Sequence, residues 1–312
     1  MEQTMAEYEV IIIGGGPAGL TAGLYTSRAG LKSLLVEQGP FGGQMANTTL
    51  VENYPGFPDG IAGSELGSLM HQQAVRYGLE VVMSEVTGIA EGQVYTVSTT
   101  EGDIEASAII IAAGSEYRKL GVTGEERLSG RGVSYCATCD GFFFRDREVA
   151  VVGGGDTAIT DALELAQHAR KVTVIHRRDQ LRAEQALQER ALTHPKLEFA
   201  WDTVVEEILG EKVVEGLKLS NVKTDQQSSL KVDGVFVAIG LSPNSQRFSN
   251  VLELDDAGCI VAGETMATSA AGIFAAGDIR SNSPRQIAAA VGDGANAAMS
   301  AFKYLQRMRK RD

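Results

Sequence analysis

A strand, a glycine-rich turn and a helix open the sequence, the same pattern returns near residue 148, and alternating runs follow each copy. Together these observations predict an α/β protein with two Rossmann-like dinucleotide-binding domains, each a three-layer stack of parallel sheet plus β-meander. The chain has 312 residues, 44% of them hydrophobic, enough to bury two such cores.

Residues 8–13 read as a buried strand that runs into Gly14-Gly15-Gly16-Pro17-Ala18-Gly19 and then a helix to about residue 29. This is G-x-G-x-x-G in its required setting. The glycines permit the tight turn, close approach of backbone to a pyrophosphate and close helix packing, while the helix start supplies N–H groups and positive potential. A second strand, 33–36, ends at Glu37, an acid about 20 residues past the turn, where a carboxylate holds ribose hydroxyls. The ordered set of strand, turn, helix, strand and acid favours dinucleotide binding over a merely structural turn. Gly42-Gly43-Gln44 and Asn53-Tyr54-Pro55-Gly56 are loops that either carry function or only connect. A helix is expected over 64–77, and strands over 80–83, 94–99 and 108–112 form a meander that returns to the sheet before Ala113-Gly114.

The second copy begins with a strand over 148–152, the turn Gly153-Gly154-Gly155-Asp156-Thr157-Ala158 and a helix over 158–168. Its next strand, 171–175, ends at His176, the counterpart of Glu37. In place of the acid stand His176-Arg177-Arg178, with Arg182 one turn on. Planar guanidiniums there suit a 2′-phosphate through bidentate bonds, so the first copy takes a dinucleotide with a free 2′-hydroxyl and the second NADP. The competing reading is a solvated basic turn. A helix over 183–192 follows, then runs at 197–201, 204–208, 216–222 and 230–231 that suggest a second meander, and a strand over 235–239 ending in Gly240. A last strand, 273–276, leads into Gly277-Asp278, whose carboxylate either binds a ribityl or ribose hydroxyl or only closes a turn. The closing helix, 283–306, is expected to be interrupted near Gly292 and Gly294.

Between the copies lies Cys136-Ala137-Thr138-Cys139-Asp140 at a helix start. The C-x-x-C spacing fits half a zinc site, a cycling dithiol, or two unrelated buried thiols. The one other cysteine, Cys259, is distant, and His71, His168, His176 and His194 form no pair to complete a tetrahedral site, so a redox pair is favoured and no metal is expected. Asp140 beside the second sulfur is a natural proton relay. A helix start lowers a thiol from about 8.5 towards 3.5–7.5, giving thiolate at neutral pH.

A net charge of −12 offers no basic field to gather phosphates, so nucleic acid is not an expected partner. The short run Arg307-Met308-Arg309-Lys310-Arg311 suits a helix end. No apolar stretch reaches about 18 residues, which argues against a membrane span. Residues 1–9 are polar and acidic, unlike a signal peptide, so a cytoplasmic location is expected, where such dithiols are catalytic.

The two glycine turns, Gly42-Gly43-Gln44, Asn53, Cys136-Ala137-Thr138-Cys139-Asp140-Gly141, His176-Arg177-Arg178-Asp179 with Arg182, and Gly277-Asp278 with Arg285-Gln286 resemble, in order and spacing, the bacterial low-molecular-weight thioredoxin reductases. The likeness covers nearly the whole chain. It implies a homodimer with an FAD-binding domain of residues 1–117 and 247–312, and an inserted NADP-binding domain, 118–246, that carries the dithiol. It implies FAD at Gly14, Gly16, Pro17, Ala18, Gly19, Glu37, Gly43, Gln44, Asn53, Gly114, Asp278, Arg285, Gln286 and Ile287. NADP(H) would lie at Gly153, Gly155, Asp156, Thr157, Ala158, His176, Arg177, Arg178 and Arg182. Ala112-Ala113-Gly114-Ser115 and Ser281-Asn282-Ser283 depart from the usual pattern of the family.

The resemblance further implies that NADPH reduces FAD, that electrons pass to thioredoxin through the dithiol, and that Cys139 faces the flavin while Cys136 attacks the substrate disulfide with Asp140 as acid. Phe142, Phe143 and Arg131 would anchor thioredoxin, although the two phenylalanines also fit ordinary core packing. Because one rigid arrangement cannot serve both half-reactions, the inserted domain is expected to rotate about 114–121 and 240–243. The alternatives are a reductase of another redoxin or a peroxiredoxin-type partner, and a flavin/dithiol redox sensor.

Overall fold

The computed structural model describes residues 6–48 and 50–310; residues 1–5 of the polar start and Arg311 of the basic run lie outside the described residues. In chain order come β1 (Tyr8–Ile13), α1 (Pro17–Arg28), β2 (Ser33–Glu37), α2 (Gly63–Arg76), β3 (Glu80–Met83), β4 (Val86–Ala90), β5 (Tyr95–Thr99), β6 (Gly102–Ile111) and β7 (Ser115–Tyr117). There follow β8 (Val133–Ser134), α3 (Ala137–Asp140), β9 (Glu148–Val152), α4 (Asp156–His168), β10 (Lys171–Ile175), α5 (Gln185–Leu192) and β11 (Leu197–Ala200). The chain closes with β12 (Thr203–Leu209), β13 (Gly216–Asn221), β14 (Gln227–Leu230), β15 (Gly234–Val237), β16 (Leu241–Pro243), β17 (Ile273–Ala275) and α6 (Ile287–Arg309). Two compact units result, one from the segments up to Glu116 and from Ser242 on, the other Tyr117–Leu241.

In the first unit β3, β2, β1 and β6 form a parallel sheet in that order. The long β6 is shared, since its first half pairs antiparallel with β5 while Ile109–Ile111 pair parallel with β17. Its central strands are apolar on both faces because both faces are covered. Val10, Ile12 and Ile110 pack on Leu20 of α1 and on Ala297 and Ala301 of α6. Ile11, Ile13, Ile109 and Ile111 pack on Ile89 of β4 and Val97 of β5. Each such isoleucine, fully withdrawn from water, contributes roughly 1.5–3 kcal/mol.

The second unit repeats the plan. Its parallel sheet runs β11-β10-β9-β15-β8, with α4 and α5 on one face and the antiparallel β12-β13-β14 meander on the other.

Several expectations need correction. The closing helix begins at Ile287, because Arg285 has φ 56° and Asn282 φ 57°, backbone that breaks a helix. It then runs unbroken to Arg309. Gly294 packs α6 against α1 rather than interrupting it, since a Cβ there would meet the Ala18 carbonyl oxygen at 2.1 Å. Residues 80–83 and 197–200 are edges of the parallel sheets, not meander strands. Their meanders instead use β4, unseen in the sequence, and Gln227–Leu230, which extends to the N-terminal side of the expected 230–231.

Candidate active site

Cys136 and Cys139 form a disulfide with their Cα atoms 5.3 Å apart. Cys136 is the N-cap of α3, and its Sγ accepts from the Cys139 N–H at 3.2 Å. That helix is a single turn continued by the 3-10 turn Gly141–Phe144, so the expected helix start exists but is short. Cys139 is exposed and Cys136 half-buried. Among the described residues no group of three or more His, Cys, Asp or Glu side chains is placed to hold a metal ion.

Ser134, at the end of β8, donates to Asp140 Oδ2 at 2.6 Å and accepts from the Cys136 N–H at 3.1 Å. One hydroxyl thus ties the carboxyl to the dithiol loop. Burial pushes the Asp140 carboxyl above the ordinary carboxylate range, and the Ser134 bond partly opposes this. A carboxyl so placed holds its proton to higher pH than an exposed carboxyl does, next to the sulfur whose proton it would exchange.

In the first unit Gly14 has φ 105°, and a Cβ there would meet the Ala112 carbonyl oxygen at 2.5 Å, so β1 can turn only with glycine. The N-terminus of α1 has no side-chain cap and no acid in its first turn, and a Cβ on Gly16 would meet nothing within 4 Å. Free N–H groups and an open glycine face make an anion cradle. Glu37 lies against it, accepting from the N–H groups of Gly15 and, at 2.7 Å, Gly39. Gly42 donates to the Gly15 carbonyl at 2.9 Å, so the Gly42-Gly43-Gln44 loop borders the same cradle with Gln44 exposed.

At the same end of the sheet, Ser115 donates to the Asp278 carbonyl at 2.5 Å, beside Gly114. Burial raises the Asp278 carboxyl, which accepts from Ser283 Oγ at 3.0 Å. Asn53 donates to Gln286 Oε1 at 3.2 Å, bringing two predicted residues together across the unit. Ile287 packs on the small core of Met45, Val51, Ile61 and Leu66.

In the second unit Gly155 caps α4 with open space above it, as Gly16 does for α1. Asp156 accepts from the Glu184 N–H at 2.6 Å, and Arg182 donates from its N–H to the Gly154 carbonyl at 2.7 Å. Arg177, Arg178 and Arg182 are exposed and line a cleft of about 370 Å³. His176 does not join them. Its ring is buried over Gly154, where a Cβ would lie 2.4 Å away, and its Nε2 meets the Gln180 carbonyl at 3.1 Å. Burial lowers its pKa and the arginines add to this, while the Gln180 contact partly opposes it, so the ring is a support of the turn that disfavours the charged form.

The sequence profile described as pyridine nucleotide-disulphide oxidoreductase matches residues 8–294. The chain is 50% identical over 305 residues to a thioredoxin reductase of Listeria monocytogenes, covering 97% of this chain and 95% of that one. It is 48% identical over 305 residues to a thioredoxin reductase of Bacillus subtilis, covering 97% and 96%. The chain belongs to the pyridine nucleotide-disulphide oxidoreductase family, with the bacterial low-molecular-weight thioredoxin reductases. The crystal structure of thioredoxin reductase from Streptococcus pyogenes superposes with a TM-score of 0.92 at 46% identity, covering 96% of this chain and 98% of that one. Family membership carries with it a flavin and a nicotinamide cofactor. Among the described residues no helix is long and apolar enough to cross a membrane.

Within this member of the family, the sequence reading overlooked three contributors. Ser134 precedes the motif without any recognised pattern. Asp293 of α6 accepts from the Gly277 N–H at 3.1 Å and from Arg280 at 2.6 and 2.9 Å, a buried bidentate pair that fixes the turn carrying Asp278. Lys223, on the hairpin between β13 and β14, lines the arginine cleft. Phe142 and Phe143 are 58% and 48% exposed, so they are not core residues.

Proposed function

We propose that the chain is an NADPH-dependent flavoprotein that reduces the disulfide of thioredoxin. FAD would bind the domain of residues 1–117 and 247–312, and NADPH the inserted domain 118–246. The observation that carries the reading is the Cys136–Cys139 disulfide, with Asp140 beside it, in the same unit as an arginine-rimmed nucleotide cleft.

Support for FAD comes from the uncapped α1 start, the open Gly16 face and Glu37 at the end of β2, a donor and acceptor set that suits a pyrophosphate and a ribose with free hydroxyls. Gly43, Gln44, Asn53, Gly114, Asp278, Arg285, Gln286 and Ile287 would complete that site. Support for NADPH comes from Arg177, Arg178 and Arg182, whose guanidiniums suit a 2′-phosphate. When bound, these groups supply two electrons from the nicotinamide through the flavin.

The chain's own residues then manage sulfur and protons. The Cys136–Cys139 bond takes two electrons and two protons to become a dithiol, and Asp140 donates or accepts at the thiol next to it. Cys136, as thiolate, attacks the thioredoxin disulfide and forms a mixed disulfide, releasing one substrate thiolate that takes up a proton. Cys139 then attacks Cys136 Sγ, which restores the intramolecular disulfide and releases the second thiolate. Exposure alone does not favour Cys136 as the outer thiol; that role rests on family resemblance. The exposed Phe142 and Phe143, with Arg131, would give thioredoxin an aromatic anchor. For the dithiol to meet both the flavin and a protein substrate, the inserted domain must move; each crossing carries a left-handed glycine, Gly114 with φ 65° and Gly240 with φ 114°.

Steady-state NADPH oxidation with purified thioredoxin tests the reading. Turnover that requires thioredoxin is expected, whereas reduction of the protein without turnover would make it a sensor. A strong preference for a different redoxin would change the partner alone.

A further inference from the structure

The cleft taken above as the 2′-phosphate site holds a fourth cation that arrives from a distant part of the chain. Lys223 Nζ bonds Asp179 Oδ2 at 2.9 Å and lies 3.1 Å from Asp202 Oδ2. All three side chains line the cleft with the arginines. We propose that Lys223 is a specificity-determining residue for the 2′-phosphate, and that Asp179 and Asp202 are its positioning residues. This inference rests on the NADPH reading of the inserted unit.

The backbone delivers Lys223 to this place. The Asp202 N–H donates to the Arg178 carbonyl at 3.2 Å, and the Val222 N–H donates to the Asp202 carbonyl at 2.6 Å. The arginine turn, the residue before β12 and the β13–β14 hairpin are therefore stitched in sequence, with Lys223 the next residue along. Asn221 Oδ1 accepts from the Lys223 and Thr224 N–H groups at 3.0 and 3.1 Å, which fixes the hairpin turn beneath the lysine. Asp202 holds φ 50°, a left-handed conformation that aspartate tolerates, and its side chain is only 16% exposed.

Charge gives the arrangement its consequence. A phosphate dianion entering between three arginines also meets two carboxylates, and like charges at that range oppose binding. The ammonium between the carboxylates offsets half of their charge and keeps both paired with the lysine, which leaves the arginines for the ligand. Both carboxylates hold the lysine in its charged form, Asp179 more strongly. A ligand without the 2′-phosphate gains nothing from this, so the effect discriminates between nucleotides and is more than a general aid to binding.

Calorimetric titration of the full-length protein with adenosine 2′,5′-bisphosphate and with 5′-AMP tests the proposal without any turnover. Lys223→Met is expected to weaken the bisphosphate about three- to tenfold at physiological salt while 5′-AMP shifts by less than about twofold. Lys223→Arg should retain the preference. Adding Asp179→Asn and Asp202→Asn to Lys223→Met should bring the bisphosphate back to within about threefold of the starting protein, because the opposing charges have gone. A bisphosphate affinity unchanged in Lys223→Met, or equal losses for both ligands, overturns the proposal. If Lys223→Met keeps the full preference of the unaltered protein while Arg177→Ala with Arg178→Ala removes it, the lysine proposal fails and the NADPH reading stands. If the unaltered protein binds both ligands equally, the NADPH reading fails as well.

Discussion

Replacing Ser134 with alanine removes one hydroxyl and with it the 2.6 Å bond to Asp140 Oδ2, the 3.1 Å bond from the Cys136 N–H and a longer 3.3 Å contact to the Cys136 carbonyl, the first two being the ones that matter. The first stabilises an ionised carboxylate, and for a half-buried group its loss costs about 1–2 kcal/mol. The second leaves a backbone donor without its partner and costs about 1 kcal/mol. The sign with pH follows from burial, which already lifts Asp140 above its unfolded value. A native state that binds the proton more tightly than the unfolded state loses stability as pH rises through the interval between the two values. Without the hydroxyl the native value rises further, so the destabilisation of Ser134→Ala should grow with pH and level off once Asp140 is ionised in both proteins. Urea denaturation across pH 5 to 9 reads the stability, and the alkaline limb of single-turnover disulfide reduction reads the carboxyl itself. That limb should move to higher pH. A loss independent of pH, or a limb that moves down, would refute the coupling between Ser134 and Asp140.

Asp140→Asn should slow disulfide reduction by about 100- to 10,000-fold without abolishing it, as loss of a general acid does. The same variant should gain stability relative to the parent as pH rises, since it never carries the buried charge, and paired denaturation curves at two pH values check this. Arg177→Ala with Arg178→Ala should erase most of the NADPH preference, each lost charge-assisted contact being worth about 1.5–3 kcal/mol; the NADPH/NADH ratio of kcat/KM measures it. Gly294→Ala forces a Cβ to 2.1 Å from the Ala18 carbonyl and should cost about 1–3 kcal/mol or more. Gly292→Ala on the same helix meets nothing within 4 Å and should instead gain about 0.5–1 kcal/mol, so Tm values that move in parallel would contradict the packing account.

What could be read in advance was whatever depends on local spacing. Both glycine turns, Glu37 and the arginine turn are consequences of a strand ending in a tight turn, and such turns need particular residues at fixed offsets. Gly292 and Gly294 show the limit of that logic. Both have low helix propensity, but only the approach of α1, from the other end of the chain, shows that Gly294 is required inside α6 and does not break it. His176 sits where an arginine-rich turn implies a phosphate contact, yet the tight fit of its ring over Gly154 makes it a buried support. Ser134, Asp293 and Lys223 act across tertiary contacts, through single hydrogen bonds or a hairpin that meets the arginine turn. No periodicity or motif marks such residues. Strands 80–83 and 197–200 carry too few residues for alternation to tell a sheet edge from a meander.

Thiol labelling after anaerobic addition of NADPH tests the central claim most directly. The protein is reduced with one equivalent of NADPH, alkylated, and its labelled cysteines are identified by mass spectrometry, with and without oxidised thioredoxin. The account predicts that NADPH makes Cys136 and Cys139 alkylatable together, that oxidised thioredoxin added before the alkylating agent leaves both unlabelled and takes two labels itself, and that buried Cys259 stays unlabelled throughout. Cys136 and Cys139 remaining unlabelled after NADPH alone, in a protein that still reduces thioredoxin with NADPH, would contradict it.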